Sequence, residues 1–163
     1  MKKRVDMVVA VDFDGTLFGD PENWPEPGTP NNEMIELLNV LHDTGIFVVI
    51  WTLRNGDGED IVRKSLSENG VNYDLINETP RYLIDKWNSD PRKIAADVYI
   101  DDRNIGGLPS QLSIMYDIVR RFNTKICTGT ALNGGEWTQN IGRLTSYMID
   151  KIHNTEEIKQ HEL

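Results

Sequence analysis

The sequence predicts an α/β fold, a three-layer α/β/α sandwich around a mainly parallel sheet with no separate cap domain. Three observations predict it. Short continuous apolar runs alternate with segments whose apolar residues recur at helical spacing, and such runs are strands covered on both faces of a parallel sheet. The conspicuous polar residues Asp12, Asp14, Thr52, Asp101 and Asp102 close those runs, at the carboxyl ends of strands where open α/β sheets bind ligands. The 40 positions from Asp12 to Thr52, and the 41 from Thr52 to Lys93, are each consumed by a helix with its connections.

Each element has its own signal. Met7–Val11 is β-rich and Gly15 breaks it. Residues 20–30 hold four of the seven prolines and read as a loop or small flap. Thr29-Pro30 is a helix start, an N-cap followed by proline at the first helical position. Met34, Leu37, Leu38 and Leu41 then keep helical spacing until Gly45. Ile46–Trp51 is a continuous apolar strand ending at Thr52. Ile61, Val62 and Leu66 mark a second helix stopping at Gly70, with Asp57, Glu59 and Asp60 as first-turn acids favoured by the helix dipole. Tyr73–Ile76 and Ala95–Ile100 read as the third and fourth strands. Leu112, Met115, Val119 and Phe122 give another amphipathic helix, Lys125–Thr128 a short edge strand, and Ile141, Leu144, Met148 and Ile152 a last helix. One domain over 1–155 is expected, followed by a polar tail over 156–163.

Composition narrows the function classes. The chain of 163 residues carries a net charge of −9, a poor electrostatic match to a nucleic-acid backbone. The single Cys127 forms no internal disulfide, which suits a reducing compartment. No secretory leader and no apolar run of about 20 residues is visible. A cytoplasmic protein that does not engage a membrane is the expectation.

The most informative segment is Val11-Asp12-Phe13-Asp14-Gly15-Thr16-Leu17-Phe18. Two carboxylates two positions apart leave the same face of an extended chain. Desolvating them at a buried strand end costs several kcal/mol unless something compensates. A hard divalent cation does so, and it prefers oxygen ligands. Asp101-Asp102 repeats the pattern after Val98-Tyr99-Ile100, so the two pairs point to one acidic metal site. Ordinary turn and cap roles suit any one of these residues, but four Asp at two strand ends fit them poorly.

Asp-x-Asp-Gly-Thr after the first strand, Thr52 after the second, Lys93 before the fourth and Asp101-Asp102 after it resemble the haloacid dehalogenase superfamily of phosphohydrolases. The likeness spans roughly residues 7–108. Trp24-Pro25-Glu26-Pro27-Gly28, Trp51-Thr52-Leu53-Arg54 and the stretch Arg92 to Asn104 look like small bacterial and phage members of that group, and the strand-four motif is also similar to that of 5′(3′)-deoxyribonucleotidases. The resemblance implies a Rossmann-like sheet and a Mg²⁺-dependent phosphatase working through an aspartyl-phosphate. It assigns Asp12 as nucleophile and Asp14 as general acid and base. Mg²⁺ would be held by Asp12, the main chain of Asp14 and Asp101, with Asp102 steadying the site. Thr52 and Lys93 would bind and neutralise the phosphoryl group. Thr16, Arg54 and Trp24 are candidates for substrate binding.

Several residues have competing readings. Lys86 rivals Lys93, and either suits a solvated surface. Arg54 fits an anion clamp or an exposed loop residue. Trp24 fits a stacking platform for a base or a staple for the flap, while Trp51 and Trp87 read as core. A site without a cap implies a large or protruding phosphoester, or a lid lent within a homo-oligomer, and the strand-four resemblance alone implies a nucleotide or a polynucleotide end as the substrate. The alternative to an enzyme is a catalytically silent binding or regulatory module on the same fold, which has no need of a general acid at position 14.

Overall fold

The computed structural model describes residues 7–127 and 134–161. Strands β1 (Val8–Asp12), β2 (Phe47–Trp51), β3 (Leu75–Ile76) and β4 (Val98–Ile100) form a parallel sheet in the order β3-β2-β1-β4. Register runs from Val8 opposite Phe47 to Asp12 opposite Trp51, and from Val9 opposite Val98 to Val11 opposite Ile100. The described helices are α1 (Asn32–Asp43), α2 (Asp57–Glu68), α3 (Arg81–Trp87), α4 (Gln111–Cys127) and α5 (Gly134–His161).

Alternation along the strands divides the core. Val9, Val11, Val48, Ile50, Ile76 and Ile100 face a large cluster completed by α1, α2, α4 and Leu144 of α5. Val8 and Val49 face a smaller one with Leu83 of α3 and Ile94. Right-handed crossovers explain the split. The chain steps from β1 to β2 to β3 in one direction, so α1 and α2 fall on one face. It then returns past β1 to lay down β4, which sends α3 to the opposite face. Among the described residues the sandwich is therefore lopsided, with a deep layer on one side and the short α3 on the other.

This topology fixes the site. Strand order reverses between β1 and β4, and such a switch point opens a crevice outside the carboxyl ends of the two strands. Asp12 closes β1, and Asp101-Asp102 follow β4 directly. No cap domain interrupts the described residues.

Three sequence expectations are corrected. Helix α1 is capped by Asn31, whose side-chain oxygen accepts from the Met34 N–H at 3.2 Å, and not by Thr29. Thr29 and Pro30 belong instead to the neck of the flap, where the Gly19 N–H donates to the Thr29 carbonyl at 2.8 Å and Pro30 bridges to Phe18. Lys125–Cys127 continue α4 and form no edge strand, while Thr128 lies outside the described residues. The Lys125 ammonium reaches Asp97 at 2.9 Å from the last turn of α4, where a cation suits the helix dipole. Helix α3 carries Trp87, which is 55% exposed and no part of the core. Helix α5 runs on to His161, within the polar segment 156–163.

Candidate active site

The turn after β1 is built to expose two carboxylates. Phe13 is fully buried and stacks on Phe18 with ring centroids 4.5 Å apart. The Phe18 N–H donates back to the Phe13 carbonyl at 2.9 Å, and the Gly15 N–H to the Phe18 carbonyl at 2.6 Å. Phe13 thereby anchors the turn while Asp12 and Asp14, on either side of it, stay partly open. Gly15 adopts φ +85°, and a Cβ there would fall 2.6 Å from an Asp102 carboxylate oxygen. Only glycine lets the β1 and β4 turns approach this closely.

The approach assembles an acidic cluster. Asp12, Asp101 and Asp102 each offer a carboxylate oxygen within 4.8 Å of the others. Burial first, then the nearby Asp101 carboxylate, push the Asp12 carboxyl up to about 7 from an ordinary 3.8, with Asp102 and Asp14 adding to the rise and a hydrogen bond from the Phe13 backbone opposing it. One Asp102 oxygen is buried with no hydrogen-bond partner. Crowded, desolvated carboxylates with an unsatisfied oxygen suit a hard divalent cation, so the donor set fits a metal. The Asp14 carboxylate lies outside this cluster.

Thr52 is 8% exposed. Its backbone N–H donates to the Asn77 side-chain oxygen at 2.9 Å, and its hydroxyl oxygen accepts from the Arg54 N–H at 3.1 Å, which leaves the hydroxyl hydrogen uncommitted by that bond. Sequence reasoning missed Asn77. Its signal was a β3 strand followed directly by Asn, a residue that tolerates the left-handed φ of +52° seen here.

The Lys93 ammonium stands 4.8 Å from the Tyr99 ring, and Tyr99 pairs in register with Ala10 of β1. Lys86 lines a cavity together with Val8, Asp97 and the same Tyr99.

Three candidates for substrate binding have other commitments. Thr16 is 1% exposed, and its hydroxyl accepts from the Asp102 N–H at 3.0 Å while its carbonyl accepts from Asn31 at 3.1 Å. It ties β4 and α1 to the first turn. Arg54 is 1% exposed, so it is neither an open anion clamp nor a solvated loop residue. Its guanidinium makes a bidentate pair with Asp14, both bonds 2.8 Å. Trp24 is 65% exposed, with the Arg54 guanidinium 4.3 Å from its ring centroid.

No protein-family model and no curated protein matches the chain. Among solved structures it is similar to a conserved protein from Bacteroides thetaiotaomicron, with 29% sequence identity and a TM-score of 0.58. The match covers 71% of this chain and 90% of that one. It supports a Rossmann-like parallel α/β fold. No helix among the described residues is long and apolar enough to cross a membrane.

Proposed function

We propose that this chain is a Mg²⁺-dependent phosphomonoesterase of the haloacid dehalogenase type, acting through an aspartyl-phosphate. The observation that carries the reading is the meeting of Asp12, Asp101 and Asp102 within 4.8 Å at the point where strand order reverses, with a further Asp14 at the same turn. Asp12, Asp101 and Asp102 would hold Mg²⁺ together with the Asp14 main chain. The cation would offset the carboxylate charge and polarise the phosphoryl group.

In this reading an Asp12 oxygen attacks phosphorus and the bond to the leaving oxygen breaks. Asp14 gives that oxygen a proton, then takes one from the water that attacks the aspartyl-phosphate. The P–O bond to Asp12 breaks, releasing phosphate and restoring the Asp12 carboxylate and the protonated Asp14. Thr52 donates its hydroxyl hydrogen to the phosphoryl oxygens, and Lys93 balances their charge. The open carboxyl edge admits a protruding phosphoester, and nucleotides or polynucleotide ends lead the substrate classes.

A colorimetric assay on p-nitrophenyl phosphate, with and without Mg²⁺, tests the reading. Wild type should turn over only with the cation, and Asp12→Asn should lose about 10⁴-fold or more in kcat while melting as a folded protein. A panel of nucleotides, sugar phosphates and phosphorylated DNA ends then ranks the substrates. Wild-type rates in Asp12→Asn, or turnover indifferent to chelation, would defeat the mechanism. Failure of every phosphoester would favour the silent binding module.

A further inference from the structure

The structure assigns Arg54 a role that rests on the phosphatase reading and goes beyond it: it is a positioning residue coupling the flap over residues 20–27 to the orientation of Asp14. One buried guanidinium does both. Nε and Nη2 grip the two Asp14 oxygens at 2.8 Å, while Nη1 donates to the Pro25 carbonyl and Nη2 also reaches the Glu26 carbonyl at 3.3 Å. Phe13 lies beneath the guanidinium at 5.4 Å and Trp24 over it at 4.3 Å. The backbone of Arg54 is fixed as well, by Thr52 on its N–H and by the Asn77 side chain on its carbonyl at 3.4 Å.

The flap has little else to hold its tip. Its neck is pinched, since a Cβ at Gly28 would lie 1.9 Å from the Gly19 carbonyl oxygen. Between neck and tip the backbone bonds to itself, from the Glu26 N–H to the Asn23 carbonyl at 2.9 Å. The Arg54 contacts therefore clamp the tip. The same fork fixes the Asp14 carboxylate without exhausting it, because a bidentate arginine uses one lone pair on each oxygen and leaves the others for a proton or water. Loss of Asp14 would strand a buried cation, which escapes to solvent more readily than it stays unpaired, and the flap would lose its clamp with it. Arginine is required here, since lysine has one point charge and no planar fork.

Two measurements test the coupling, and the first needs no activity. Glutamyl endopeptidase cleavage at Glu22-Asn23, followed by mass, should be slow in wild type and several-fold faster in Asp14→Ala, a change made outside the flap. Cleavage in Asp14→Ala at the wild-type rate would overturn the coupling, whatever the enzyme's chemistry. The second is kinetic. Arg54→Lys should lower kcat on p-nitrophenyl phosphate by about 10- to 100-fold, the scale of an ångström-level misplacement. Its KM and its Mg²⁺-dependent rise in Tm should stay near wild type, because the carboxylate cluster is untouched. An unchanged kcat would overturn the positioning role. A fall in kcat accompanied by loss of the Mg²⁺ effect would show general damage to the site and equally reject it. Should Arg54→Lys not fold, Trp24→Ala opens the outer side of the clamp, and its cleavage at the wild-type rate would count against the coupling.

Discussion

Asp12 sits where its neutral form is favoured, and this has a measurable consequence before any substrate is added. Its value in the folded chain, about 7, lies above the ordinary 3.8 of an unfolded one. Between those limits the folded state binds more protons, so stability falls as pH rises through the window. The metal-free protein should therefore melt at progressively lower temperature from pH 3.8 to about 7 through this residue. Asp12→Asn should flatten that part of the profile, as an amide has no charge to desolvate. Thermal melts of the two proteins across the window, with chelator present, check the sign; parallel profiles would mean that Asp12 is not strained by its neighbours. The Asp-x-Asp spacing that announces this residue is local, and so it is legible in sequence. The partner of Arg54 is not, because Asp14 lies 40 positions away and only the completed sheet brings β1 and β2 side by side.

At the scale of elements, Asn31 joins two features that propensity rules treat separately. Its side chain caps α1 and also donates to the Thr16 carbonyl beside the acidic turn. Asn31→Ala should cost about 1 kcal/mol as a lost cap, read from the denaturant midpoint, whereas Asn31→Asp should keep the capping oxygen and lose only the bond to Thr16. Equal losses in the two variants would show that the Thr16 contact, and not the cap, dominates. Thr29-Pro30 looked like the helix start because the sequence rule sees only neighbours, and those residues are engaged across the flap neck by Gly19 and Phe18. Lys125–Cys127 misled for a related reason. A β-prone run ends a helix in isolation, but here Phe122 anchors the preceding turn in the large cluster and the Lys125–Asp97 pair holds α4 as it enters the run.

For the molecule as a whole, the acidic cluster exists only when β1 and β4 are adjacent, so a cation bound there favours the folded state by mass action. Mg²⁺ should raise Tm, and Asp101→Ala should diminish that rise more than Asp102→Ala, since Asp101 is the carboxylate that acts more strongly on Asp12. A larger loss in Asp102→Ala would exchange their roles. Alternating strands and helices made the parallel sheet legible, and the polar strand ends made its functional edge legible. The lopsided second face was not. Helix α3 is short and exposes Tyr82 and Trp87, so it shows little of the apolar periodicity that marks a buried helix.

The contact between Gly15 and Asp102 makes two distant turns a single part. No atom of a side chain stands at Gly15, and the Asp102 carboxylate fills the vacant place. An engineer moving the first turn into another α/β scaffold would need to carry the second with it, and a β4 turn borrowed from elsewhere would have to fit the hollow. Drift at either turn is likewise constrained by the other, although 87 positions separate Gly15 from Asp102. The pair forms one structural module, interrupted in sequence by the very elements that bring it together in space.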